Sequence, residues 1–139
     1  MSASTRRRIL FVDDEPMVLL GLAATLRKHF DVVTAPNAAA ALALLASDSA
    51  FSVIVSDYRM SGMNGAALLA GVRERYPAIV RILLTGAGAE GDDVKSGSDL
   101  VFQLLSKPCP RATLIRALED AVYAHDHVSP HAPPEVWRE

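Results

Sequence analysis

The chain has 139 residues, 50% hydrophobic and 22% charged, which is an ordinary composition for one globular domain with a real core. Its formal net charge of −2 gives no electrostatic basis for binding nucleic acid or an anionic membrane. A single cysteine excludes an internal disulfide, and no apolar run is long enough for a signal-peptide core or a membrane span. We therefore expect a cytoplasmic protein.

Strand-like and helix-like segments alternate along the chain. Short apolar runs rich in β-branched residues predict strands near residues 8–12, 32–33, 53–55, 79–84 and 100–105. Helical spacing predicts helices from Pro16 to near His29, over 38–46 with Asn37 as cap, over 66–76, and from Pro110 onward. This alternation predicts an α/β fold with a five-stranded parallel sheet and helices on both faces.

Three segments depart from this regular pattern. Between Thr85 and Val101 several glycines predict only a short fourth helix around residues 90–96, because each interior glycine costs about 1 kcal/mol relative to alanine. Residues 1–7 are polar, and residues 125–139 carry three histidines and three prolines. We expect a flexible N-terminus over 1–7 and a flexible tail over 125–139, on either side of a domain over 8–124.

Polar side chains follow four of the five predicted strands. Asp13 and Asp14 follow the first strand, Asp57 the third, Thr85 the fourth and Lys107 the fifth. Because the carboxyl ends of parallel strands meet at one edge, where open α/β sheets bind their ligands, these side chains should converge. Each alone has an ordinary explanation, such as a helix cap or a solvated lysine. Together and in this order they indicate a functional site.

The same five residues resemble the receiver domain of two-component response regulators. Two longer stretches also resemble this family: S-D-Y-R-M-S-G-M-N-G around Asp57, and R-I-L-L-T-G, which ends one residue after Thr85. It extends over about residues 8–123 and implies the flavodoxin-like strand order 2-1-3-4-5. It also implies that Asp57 accepts a phosphoryl group from a histidine kinase or phosphotransfer protein.

The resemblance implies a Mg²⁺ ion at this site. Asp14, Asp57 and the backbone carbonyl of Arg59 would bind it directly, and Asp13 would bind it through water. Lys107 and Thr85 would contact phosphoryl oxygens, and the peptide bond that follows Lys107 would be cis. Such a chain is not an enzyme but a phosphoacceptor that assists its own phosphorylation and dephosphorylation. Because no helix-turn-helix pattern follows Tyr123, we expect output through contact with an unidentified protein, not directly with nucleic acid.

Other function classes remain open at this point. One is an interaction module that uses the receiver fold without phosphorylation. Another is an aspartyl-phosphate hydrolase of the haloacid-dehalogenase type, which would need a second acid two residues after the nucleophile, where this chain has Arg59. A flavin carrier is disfavoured because no serine- and threonine-rich phosphate loop follows the first strand.

Two residues differ from the usual receiver pattern. Leu104 stands where receivers usually carry the tyrosine or phenylalanine that swings inward on phosphorylation, and Ser61 stands where proline is common. We therefore expect phosphorylation to move the loop after Thr85 more than the final strand.

Overall fold

The structure is a computed structural model that describes residues 6–47, 50–86 and 101–127. Five strands and four helices alternate over these ranges. The strands are β1 Arg8–Val12, β2 Asp31–Ala35, β3 Phe51–Asp57, β4 Val80–Thr85 and β5 Gln103–Ser106. The helices are α1 Pro16–Leu26, α2 Ala38–Ser47, α3 Gly65–Arg75 and α4 Arg111–His127. The short helix predicted around residues 90–96 lies outside the described residues.

All five strands are parallel and form one sheet in the order β2-β1-β3-β4-β5. The predicted α/β fold and its flavodoxin-like strand order are therefore confirmed. At the carboxyl edge, Val12 of β1 pairs with Ser56, Asp57 of β3 pairs with Leu84, and Thr85 of β4 pairs with Ser106. The strand ends are nearly level, so the residues that follow them meet at one edge of the sheet.

Helices cover both faces of the sheet. Alternate side chains of each strand point to opposite faces, which divides the core into two layers. On one face, α1 and α4 pack against Ile9, Phe11, Val53, Val55, Val80, Ile82 and Leu84. On the other face, α2 and α3 pack against Leu10, Val12, Ile54 and Leu83. Every residue of β3 is buried, as expected for a central parallel strand.

Asparagine side chains cap two of the helices. Asn37 Oδ1 accepts a hydrogen bond from the Ala40 backbone at 2.7 Å, which confirms the predicted cap of α2. Asn64 Oδ1 accepts one from the Ala67 backbone at 2.8 Å and so caps α3. Helix α1 begins at Pro16 as predicted but ends at Leu26 rather than near His29, because the chain turns to bury Phe30.

The last helix is longer than predicted. Helix α4 runs through His127, where the imidazole ring stacks on Tyr123 with ring centroids 3.9 Å apart. Residues 125–127, predicted as part of the tail, therefore belong to this helix, and the rest of the predicted tail lies outside the described residues. Asp126 of this last turn forms an ion pair with Arg7 at 2.9 Å, so Arg7, placed by prediction in the flexible N-terminus, is tied to α4. Within the described ranges, no helix is both long enough and apolar enough to span a bilayer.

Candidate functional site

Three carboxylates converge at the carboxyl edge of the sheet. Asp13 and Asp14 directly follow β1, and Asp57 is the last residue of β3. One oxygen from each lies within 4.8 Å of the others. Asp13 and Asp57 are only 3% and 6% exposed, whereas Asp14 is the most exposed of the three. The predicted convergence of the acids is therefore present, because the strand order places β1 beside β3.

Lys107 brings a positive charge into this cluster. Its Nζ donates a hydrogen bond to Asp57 Oδ1 at 2.9 Å and lies 3.9 Å from Asp13 Oδ2. Partial burial acts to lower the pKa of Lys107, but the hydrogen bond to Asp57 and the nearby carboxylate charges outweigh it, so the pKa is raised. Lys107 is therefore fully protonated at neutral pH and offsets part of the carboxylate charge.

The two acids that follow β1 have opposite electrostatic environments. Burial raises the pKa of Asp13, and the charge of Asp57 adds to this effect, although a hydrogen bond from the Glu15 backbone at 2.9 Å opposes it. Hydrogen bonds from the Ser61 backbone at 2.9 Å and from its hydroxyl at 3.2 Å lower the pKa of Asp14. Asp14 therefore holds its negative charge more readily than its buried neighbour does.

The remaining predicted site residues lie around this cluster. Thr85 ends β4, is 2% exposed, and its carbonyl accepts a hydrogen bond from the Lys107 backbone at 2.7 Å. Among the described residues, the Thr85 side chain forms no hydrogen bond with Asp57 or Lys107. Arg59 lies in the loop after β3 and is exposed. The Lys107–Pro108 peptide bond is cis, as expected.

The start of α3 packs directly on the backbone of Asp57. The Gly65 backbone donates a hydrogen bond to the Tyr58 carbonyl at 2.8 Å. A Cβ atom at Gly65 would lie 2.2 Å from the Asp57 carbonyl oxygen, a separation that no side chain tolerates. In the sequence, Gly65 is only the last residue of the phrase S-D-Y-R-M-S-G-M-N-G. The requirement for glycine follows from close backbone approach, which sequence alone did not reveal.

A comparison with protein-family models matches residues 9–119 to the response regulator receiver domain. The chain belongs to this receiver family. It is 35% identical over 133 residues to the transcriptional regulatory protein GlrR of Escherichia coli strain K12. That match covers 94% of the chain but only 29% of GlrR, so the receiver spans less than a third of this relative.

Solved structures share the receiver fold. One is the signal receiver domain of an HD domain-containing protein from Pseudomonas fluorescens Pf-5, with a TM-score of 0.77, 31% identity, and coverage of 87% of this chain and 90% of that one. Another is the response regulator protein TrrA from Thermotoga maritima in complex with Mg²⁺ and BeF, with a TM-score of 0.74 and 25% identity. That match covers 83% of this chain and 98% of TrrA.

Two further features of this receiver lie near the site. Leu104, at the position of the usual aromatic residue, is 37% exposed on β5. Cys109, two residues after Lys107, is partly buried, and burial raises its pKa. It lines a cavity of about 320 Å³ between α1 and the start of α4, together with Met17, Gly21, Leu22, Thr25 and Arg111.

Proposed function

We propose that Asp57 is the phosphoacceptor of this receiver domain and that a histidine kinase or phosphotransfer protein supplies the phosphoryl group. The observation that supports this most directly is the position of the Asp57 carboxylate. It ends a buried central strand, lies 2.9 Å from the ammonium group of Lys107, and has two further carboxylates beside it. Membership in the receiver family adds support.

The reaction is a transfer of phosphoryl from a donor nitrogen to a carboxylate oxygen. An Asp57 oxygen forms a bond to phosphorus while the phosphorus–nitrogen bond of the donor phosphohistidine breaks. The electron pair of that bond leaves with the imidazole, which then takes up a proton. Charge spreads over the phosphoryl oxygens, so catalysis consists mostly of positioning and electrostatic stabilisation. In this proposal Lys107 turns from Asp57 to one phosphoryl oxygen, and the Thr85 hydroxyl donates to another.

The acidic cluster is suited to Mg²⁺. Three carboxylates and one ammonium group leave an excess of negative charge, and hard oxygen ligands are those that Mg²⁺ prefers. We propose that Asp14, Asp57 and the Arg59 backbone carbonyl bind the ion directly and that Asp13 binds it through water. When bound, the ion offsets carboxylate repulsion and polarises the phosphoryl group. The solved complex of TrrA with Mg²⁺ supports this choice of metal.

The proposed output is a change in protein contacts. In this proposal the chain accepts a phosphoryl group and does not act as an enzyme that releases a diffusible product. The name of GlrR places that relative in transcriptional regulation, and we propose a comparable regulatory role for this receiver, acting through a downstream protein. Direct contact between the receiver and nucleic acid is not part of the proposal.

Intact-mass analysis of the full chain tests the phosphoacceptor. Incubation with acetyl phosphate and Mg²⁺ should give one phosphoryl adduct, and Asp57→Asn should abolish it. Asp120→Asn, an exposed aspartate on α4, is the matched control and should be phosphorylated like the wild type. An adduct that persists in Asp57→Asn would refute the assignment. A wild type that accepts no phosphoryl group from this donor or from kinases would favour an interaction module independent of phosphorylation.

A further inference from the structure

Ser61 connects the loop after β3 with the loop after β1. Its backbone N–H and its hydroxyl both donate to the same oxygen, Asp14 Oδ2, at 2.9 and 3.2 Å. The two residues are 47 positions apart in the sequence. Asp14 is the most exposed member of the acidic cluster, so packing restricts its carboxylate less than it restricts Asp13 or Asp57. The two hydrogen bonds from Ser61 therefore provide much of its orientation.

Fixing a carboxylate before a cation arrives favours binding. An exposed aspartate samples several rotamers, and a bound ion must select one of them, which costs conformational entropy. Two donors on one oxygen hold the side chain at both its rotatable bonds. Groups that hydrogen-bond a metal ligand orient it, and their removal typically changes metal affinity by about 10- to 100-fold.

We propose that Ser61 is a positioning residue that prearranges Asp14 and thereby sets the affinity of the site for Mg²⁺. This inference rests on the proposed function and extends it to a residue outside the proposed set of metal ligands. Proline, which is common at this position in receivers, has neither an N–H nor a hydroxyl. A chain with proline here makes neither hydrogen bond, so this receiver has two hydrogen bonds between these loops that such chains lack.

Titrating the full chain with Mg²⁺ tests the role of Ser61. Binding is measured by calorimetry and by the backbone amide shift of Glu15. Ser61→Ala removes the hydroxyl donor, Ser61→Pro removes both donors, and Ser61→Thr retains both. We expect the dissociation constant to rise about threefold in Ser61→Ala and about tenfold or more in Ser61→Pro, with Ser61→Thr close to wild type. Ser47→Ala is the control, because it also removes a serine hydroxyl, but one that donates its hydrogen bond to the Leu44 carbonyl in α2.

A second measurement separates positioning from general damage to the fold. At saturating Mg²⁺, phosphorylation of Ser61→Ala by acetyl phosphate should return to the wild-type rate, whereas a distorted site would stay slow. Equal Mg²⁺ affinity in wild type, Ser61→Ala and Ser61→Pro would overturn the inference and leave the proposed function intact. Tighter binding in Ser61→Ala would overturn it as well, by showing that Ser61 competes with the ion. A wild type that binds no Mg²⁺ would refute the metal site and this inference together.

Discussion

Replacing Gly65 with alanine tests the packing of α3 on the phosphoacceptor strand. The added Cβ would lie 2.2 Å from the Asp57 carbonyl oxygen and 2.9 Å from both the Asp57 carbonyl carbon and Leu83 Cδ1. The first two atoms belong to the backbone of β3, which is paired on both sides in the sheet. They cannot move aside as a flexible side chain can, so the substitution must displace either α3 or Asp57.

The magnitude follows from two opposing effects. Alanine is favoured over glycine by up to about 1 kcal/mol within a helix. Inserting a carbon into a well-packed region costs about 1–3 kcal/mol, and a contact this short with fixed backbone belongs at the upper end. We expect a net loss of about 2 kcal/mol in the free energy of unfolding, or roughly a 30-fold change in the folding equilibrium. The urea midpoint should fall by about 0.7–2 M.

Urea unfolding followed by circular dichroism is the assay, with Gly71→Ala as the matched control. Gly71 lies in the same helix, and an added Cβ there meets nothing within 4 Å, so this substitution should raise the midpoint. Slower phosphorylation of Gly65→Ala would show that the displaced group is Asp57, moved away from Lys107, whereas an unchanged rate would show that α3 moves instead. A midpoint for Gly65→Ala at or above that of the wild type, with Gly71→Ala stabilised, would refute the reasoning.

Two other predictions concern charge at the site. Burial raises the pKa of Asp13 in the folded state above its ordinary value of 3.8. Between these two pKa values the folded state binds more protons than the unfolded state, so the free energy of unfolding falls as the pH rises through them. Asp13→Asn should therefore raise the urea midpoint at pH 7 without Mg²⁺, with the gain disappearing below pH 3.8; an unchanged midpoint at pH 7 would contradict this. Arg59 lies two residues after Asp57 and carries paired donors of the kind that bind phosphate oxygens, so Arg59→Ala should shorten the phosphorylated lifetime several-fold after donor removal. Arg75→Ala, on α3, is the control, and equal decay in wild type and Arg59→Ala would place that side chain away from the phosphoryl group.

The order of polar residues at strand ends made the site predictable. Short β-branched runs locate the strands, and a parallel sheet brings their carboxyl ends to one edge. The positions of Asp13, Asp57 and Lys107 in the sequence therefore implied their proximity. The topology places β3 and β5 on either side of β4, and the long side chain of Lys107 spans the remaining distance to Asp57, where its Nζ lies 2.9 Å from Oδ1.

Contacts between distant loops were not predictable in this way. The hydrogen bonds from Ser61 to Asp14 depend on loop conformation, which hydrophobic periodicity does not specify. The close approach of Gly65 to Asp57 likewise depends on how α3 docks on the sheet. The end of α4 was missed for a local reason: prolines further along suggested a loose tail, whereas stacking of His127 on Tyr123 extends the helix.

Cys109 gives this receiver a built-in position for a spectroscopic reporter. It is the only cysteine in the chain, and it lies two residues after Lys107 beside the cavity between α1 and α4. A thiol-directed fluorophore would therefore attach at one site, two residues from Lys107, without any engineered substitution. Because burial raises the thiol pKa, labelling at neutral pH should be slow. The rate of labelling would then measure how often the segment that carries the site lysine opens to solvent.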